Sequence, residues 1–234
     1  MSFAAQDEAM ARNYASHYSS QEMIHLYPVE FVVRAFLGTY PRHRLDRSDL
    51  VGKRCLDLGC GDGRNIPLLH RLGMEVHGLE IAEDIIASTE RRLAYHGVKA
   101  TLTVGFNAAI PYPDGFFDVL LACHSCYYVE DGTTFESNLA EMRRVLPKHG
   151  LLVASLPMSG SHILASAVPL GDGHFRVTSD RYGLRNGIVL RSFEDEGEVT
   201  NALSPYFSDL QIGFTDDEYW GTRQRLWIVC CRAR

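Results

Sequence analysis

Arg54-Cys55-Leu56-Asp57-Leu58-Gly59-Cys60-Gly61-Asp62-Gly63-Arg64-Asn65 runs from a short apolar strand into a glycine-rich turn; a helix near Asn65 to Leu72 follows, stopped by Gly73. Glycines at alternate positions let the backbone turn tightly and let a ligand approach main-chain N–H groups at a helix N-terminus, where anions are favoured. The spacing is G-x-G-x-G, unlike the G-x-G-x-x-G of dinucleotide dehydrogenases. Asp57, two residues before the first glycine of the turn, is a poor neighbour for a pyrophosphate and a good one for a ligand carrying an ammonium and a sulfonium. A plain glycine turn capped by Asp57 is the competing reading.

The next strand, Met74 to Glu80, ends on a carboxylate. An acid about 20 residues beyond such a turn can accept both hydroxyls of a ribose; alone it would read as a solvated cap. From here strand and helix alternate. A helix over Glu83 to His96, closed by Gly97, carries Ile85, Ile86, Thr89 and Leu93 near helical spacing. Strands follow at Ala100 to Val104 and Asp118 to Ala122. Thr133 and Glu136 have capping-box spacing before a helix bearing Phe135, Leu139, Met142, Val145 and Leu146, and Leu151 to Leu156 is another strand. This order predicts a parallel sheet covered on both faces, because parallel neighbours need a crossover connection. Ser192 and Asp195 can cap a helix through Leu203. Strands Leu210 to Phe214 and Leu226 to Arg232, joined by a polar loop, should pair antiparallel at one end of the sheet. Met158 to Arg191, rich in Gly, Ser and His, breaks the alternation after the carboxyl end of a strand, where long loops are usually functional or mobile. Upstream, Pro28 fits the first turn of a helix that buries Phe31, Val32, Ala35 and Phe36 and ends at Gly38. The polar stretch Arg42 to Lys53 leads on to the first strand.

The chain has 234 residues, 46% hydrophobic and 22% charged, which excludes a disordered chain or a fibre. No apolar run reaches membrane-spanning length, and the first residues lack the basic start and apolar stretch of a secretory signal, so a cytoplasmic location is expected. A formal charge of −6 disfavours non-specific nucleic-acid binding. Of the six cysteines, Cys123 and Cys126 form a CxxC after a strand-like run rather than at the start of a thioredoxin-type helix. Reduced thiols are expected, Cys55, Cys230 and Cys231 in or near the core, and no metal site is expected.

CLDLGCGDGRN, HGLE, PYPDGFFDVLLA and RRVLPKHGLLVASLP together resemble the class I S-adenosylmethionine-dependent methyltransferases, over roughly Lys53 to Pro157, with weaker similarity through the last helix and strand pair. The resemblance implies a Rossmann-like seven-stranded, mostly parallel sheet with an antiparallel last strand and helices on both faces. It implies S-adenosyl-L-methionine as cofactor and one domain over 1–234: a helical N-terminal lid at 1–50, a cofactor-binding core at 51–157, a substrate-side insertion at 158–191, and a C-terminal helix and strand pair at 192–234. In such a family Gly59, Cys60 and Gly61 would lie against the methionine part and Asp57 would help to hold its ammonium, often through water. Glu80 would bind the ribose hydroxyls and Ile81 would pack on the adenine. Asn107, after Phe106, stands where the family usually has an Asp accepting from the adenine amino group; an amide carbonyl can accept the same bond. Lys148-His149-Gly150 replaces a common Pro-Gly-Gly turn. Cys123 and His124 would face the methionine end.

Methyl transfer from a sulfonium is an in-line displacement, so the protein chiefly has to hold acceptor, methyl and sulfur collinear. A hydroxyl acceptor also needs a base, and His124 and His162 are the candidates, with His174 in the same insertion. Tyr127 and Tyr128 read as pocket walls. Tyr14, Tyr18 and Tyr27 would belong to the lid, unless those helices simply pack on the sheet edge. Arg176, Arg181, Arg185 and Arg191 form either a site for an acidic substrate or a solvated loop face. The expectation is methyl transfer to an O or N atom of a small molecule by a monomer or homodimer. The alternatives are a non-catalytic cofactor-binding sensor or structural subunit, a protein or nucleic-acid methyltransferase and, more distantly, a nicotinamide oxidoreductase.

Overall fold

The structure is a computed structural model describing residues 5–19, 26–41, 43 and 45–234. The parts of the expected lid at 1–4 and 20–25, and positions 42 and 44 of the polar stretch, lie outside the described residues. Parallel strands β1 (Arg54–Leu58), β2 (Glu75–Glu80), β3 (Thr101–Val104), β4 (Val119–Ala122) and β6 (Leu151–Pro157) make the centre of a seven-stranded sheet ordered β10-β11-β6-β4-β1-β2-β3. β10 (Phe207–Tyr219) and β11 (Thr222–Ala233) close one end, β11 running antiparallel to both neighbours. The expected fold class therefore holds. β1 pairs with β2 on one side and β4 on the other. The strand order reverses there, and open α/β sheets bind ligands at such a point, beyond the strands' carboxyl ends.

Helices α3 (Ile66–Arg71), α4 (Glu83–Tyr95), α5 (Phe135–Val145) and α6 (Glu196–Leu203) connect the strands, and α2 (Glu30–Leu37) packs alongside. α2 buries Phe31, Val32, Ala35 and Phe36 as its spacing predicts, but starts after Val29, leaving Pro28 outside the first turn. The cap of α5 falls one residue later than expected: Thr134 accepts from Ser137 N–H and Ser137 Oγ accepts from Thr134 N–H. Thr133 instead donates to the Glu130 carbonyl at 2.8 Å. Asp195 caps α6 by accepting from Glu198 N–H, while Ser192 Oγ donates to the Pro157 carbonyl. The Lys148-His149-Gly150 turn closes, with His149 at φ 67° and Gly150 N–H donating to Pro147 O at 2.9 Å.

Two expectations need correction. The polar loop between the last strands is a two-residue turn, Trp220-Gly221, because β10 and β11 continue well past their apolar centres as an exposed hairpin. The Met158 to Arg191 segment is not an open loop. β7 (Ala167–Gly171), β8 (His174–Val177) and β9 (Val189–Arg191) pair with β5 (Tyr128–Val129) in a four-stranded sheet ordered β5-β9-β8-β7. Ile163, Val177, Leu184, Ile188 and Leu190 of this segment are buried. This small sheet and α1 (Ala5–Ser19) roof the carboxyl ends of the central strands.

Candidate active site

Under that roof lies a cavity of about 300 Å3. Its floor is the turn after β1, where Gly59, Gly61 and Gly63 hold φ of 67°, 55° and 77°. A side chain at 59 would meet Ser125 Cβ at 2.5 Å, and one at 61 would meet the Tyr18 hydroxyl at 2.5 Å. Glycine is required here for its backbone conformation and for close approach alike. The N–H groups do not point at a ligand as expected. Gly59 and Cys60 both donate to Leu79 O, at 2.9 and 3.1 Å, and Gly61 donates to Glu80 Oε1 at 2.8 Å. The turn is thus stitched to the end of β2, and its glycines serve by admitting a ligand rather than by donating to it.

Glu80 lines the cavity; its second oxygen accepts from Ile81 N–H at 2.9 Å. Burial raises its pKa, and the two backbone donors oppose the rise. Asp57 is placed differently from the expectation. It is fully enclosed one layer below and forms no part of the cavity wall, and neither carboxylate oxygen has a hydrogen-bond partner among the described residues. Burial, reinforced by Glu80 and Asp62, pushes it up to about 8, and the nearby Asn65 side chain opposes this only partly. An unpaired buried carboxylate is costly, and a cation seated above the turn would relieve it.

Ile81, Phe106 and Asn107 share a wall. The Asn107 amide donates to the carbonyls of Ser125 and Tyr128, at 3.0 and 3.3 Å, which leaves its own carbonyl as the acceptor. Glu130, which the sequence reading missed, lines the cavity too, buried and raised to about 7 by its enclosure. Nothing local marks it, because its position depends on β5 pairing with the distant β9.

At the other end stand Cys123, His124 and His162. His124, at φ 59°, donates its backbone N–H to Ser155 Oγ at 2.9 Å, and its Nδ1 lies 3.3 Å from the same hydroxyl. Burial, then the charges of Arg185 and Arg64, lower its pKa to about 4. His162 Nδ1–H donates to Arg223 O at 3.2 Å, so in the neutral ring Nε2 is the basic atom; burial lowers this histidine as well. His174 does not reach the cavity. Of the four arginines in the insertion only Arg185 does. Tyr14 and Tyr18 overhang the cavity, whereas Tyr27 is 71% exposed away from it. Tyr127 and Tyr128 are walls. The six cysteines are free and buried, so the CxxC makes no disulfide. Among the described residues no cluster has metal-ligand composition, and no helix is long and apolar enough to cross a membrane.

Residues 56–154 match the methyltransferase domain family. A ubiquinone biosynthesis O-methyltransferase of Xanthomonas oryzae is 25% identical over 145 residues, covering 56% of this chain and 58% of that protein. A demethylmenaquinone methyltransferase of Thermus thermophilus is 32% identical over 103 residues, covering 43% of this chain and 46% of that protein. The matches thus span about half the length of these curated relatives. Among solved structures, the 1,6-didemethyltoxoflavin N1-methyltransferase of Burkholderia thailandensis, with S-adenosylhomocysteine bound, superposes with a TM-score of 0.64 at 15% identity, covering 100% of this chain and 92% of that one. Over residues 56–154 the chain is therefore similar to S-adenosylmethionine-dependent methyltransferases, and it shares the fold of a solved one. The enclosed, unpartnered Asp57 and the glycine cradle fit a cationic cofactor of that kind.

Proposed function

We propose that this protein transfers a methyl group from S-adenosylmethionine to an oxygen or nitrogen atom of a small molecule. The observation that carries the reading is the pairing of the Gly59–Gly61 turn with the Glu80 carboxylate in one cavity wall, above the unpartnered Asp57. In this reading Glu80 holds the ribose hydroxyls, and Ile81 and Phe106 flank the adenine. The Asn107 carbonyl accepts from the adenine amino group. Gly59, Cys60, Gly61 and Cys123 border the methionine part, with Asp57 acting from beneath. The cofactor, when bound, supplies an electrophilic methyl on a sulfonium. The protein's share is positioning, exclusion of water and removal of a proton. His124 and His162 are both neutral near pH 7, and His162, with its tautomer set by Arg223 O, offers Nε2 as the proton acceptor.

A concave cavity, partly roofed by α1 and the insertion, supports an enzyme over a flat-rimmed sensor. The relatives, each named for work on a small molecule, support a small-molecule acceptor. Calorimetric titration of the full chain with S-adenosylmethionine, S-adenosylhomocysteine and NAD tests the reading: the first two should bind and NAD should not. Binding of NAD alone refutes it. Incubation with methyl-labelled cofactor and a panel of small phenols and amines then tests for transfer.

A further inference from the structure

The cavity wall carries the carboxylates of Asp62, Glu80 and Glu130 and the guanidinium groups of Arg64, which is paired with Asp62, and Arg185, beside two neutral histidines. Arg185 comes from the insertion, between β8 and β9, and is held on two sides. Its Nε donates to the Tyr128 hydroxyl at 2.9 Å and its Nη1 to Asp180 Oδ1 at 2.7 Å. Tyr128 is tied in turn to Tyr14 of α1 through their hydroxyls, 2.8 Å apart. Asp180 is itself fixed, accepting from the N–H groups of Tyr182 and Leu184. The Arg185 side chain is 17% exposed, and its Nη2 has no hydrogen-bond partner among the described residues. A guanidinium whose fork is aligned by two fixed partners loses little freedom on taking a third, and it matches the geometry of an oxyanion.

We propose that Arg185 is the acceptor-recognition residue of this methyltransferase, its Nη2 donating to a carboxylate or ionised hydroxyl of the substrate beside the reacting atom. The inference rests on the function proposed above and narrows the acceptor to small molecules carrying an anionic oxygen. Three observations favour it. Arg185 lies close enough to His17, His124 and His162 for its charge to lower the pKa of each, which puts it at the middle of the roof. Burial, with Arg185 adding to it, makes both cavity histidines weak bases, so a hydroxyl that is already acidic, with its conjugate base held by a guanidinium, needs less from them. Finally, an anionic acceptor is drawn both to the sulfonium and to the Arg185 guanidinium in the same cavity wall, which favours its entry beside the cofactor.

The test uses the full chain saturated with S-adenosylhomocysteine, so that cofactor binding is measured first and separately. Benzoate, salicylate and 3,4-dihydroxybenzoate are each titrated by calorimetry against the corresponding amide. At least one acid should bind ten-fold or more tightly than its amide, and R185Q should erase that preference while S-adenosylhomocysteine still saturates the protein. R185K keeps the charge towards Asp180 while losing the fork, and should retain part of the preference; it serves as the control if R185Q loosens the insertion. No acid exceeding its amide, or a preference untouched in R185Q, overturns the assignment while leaving the methyltransferase reading intact. Failure of S-adenosylhomocysteine to bind would instead sink the reading beneath it.

Discussion

In the proposed function Asp57 serves binding at the expense of stability. Its ordinary pKa is 3.8, and enclosure raises it to about 8 in the folded protein. The native state therefore keeps a proton that the unfolded chain releases once pH passes 3.8. The contribution of this group to stability is fully present below that pH and is lost as pH rises towards about 8, a change on the order of a few kcal/mol. D57N should flatten this dependence and melt higher than the parent at pH 8, while binding S-adenosylmethionine at least ten-fold more weakly. Thermal melts between pH 5 and 8, with calorimetry at pH 7.5, check both halves. Cofactor binding to the parent should release protons in the same window, visible as a dependence of the binding heat on buffer ionisation enthalpy. At this scale the sequence named most of the cavity. Glycine spacing and a strand-ending acid are local signals, and Gly59, Gly61, Glu80, Ile81, Phe106, Asn107, Cys123, His124 and His162 all line it. It was blind to whether a β1 side chain faces cavity or interior, since Asp57 is one residue from the rim and every neighbour on that strand is buried. It also could not see that β2 claims the turn's N–H groups.

Elements with short-range codes read well, and those made by distant pairing did not. α2, α4 and the parallel strands are amphipathic or continuously apolar over lengths that leave little choice. The α5 cap slipped by one because Thr133 and Thr134 are adjacent and both precede plausible partners three residues on. The geometry assigns the cap to Thr134, so T134A should lose about 1 kcal/mol, whereas E136A, removing the acid at the expected box position, should stay within about 0.5 kcal/mol of the parent. Chemical denaturation of both variants separates the two registers, and neither should alter cofactor affinity. The insertion was harder. Its strands are three to five residues long, and β9 finds its partner β5 about 60 residues upstream. One signal was available: Gly171-Asp172-Gly173 between β7 and β8 is a hairpin turn, with Asp172 at φ 46° and Gly173 at φ 69°. A second, Trp220-Gly221, at φ 50° and 83°, marks the tight end of the long C-terminal hairpin.

Taken as one body, the molecule joins three stretches far apart in sequence above the cavity. Tyr14 of α1 meets Tyr128, Tyr128 meets Arg185, and the Asn13 amide donates to the Gly183 carbonyl at 3.1 Å. Arg92 of α4 donates to the Tyr18 carbonyl, which fastens the far end of α1 to the core. α1 is weakly amphipathic, and of its described side chains only Asp7 and Met10 are buried. Its attachment therefore rests on a few polar links and a small apolar contact, the kind of element expected at the low end of local stability. If α1 and the insertion close the cavity as one lid, ligand binding should steady them together. Hydrogen exchange should then slow in residues 5–19 and 178–187 in parallel when S-adenosylhomocysteine is added, with the central strands already protected. Y14F cuts the link between the two parts and should uncouple them: exchange in 5–19 stays fast at saturating ligand while that in 178–187 still slows, with cofactor affinity reduced a few-fold. Equal slowing of both segments in Y14F would mean that the two halves of the roof settle on the ligand independently and that the tyrosine pair is mere packing.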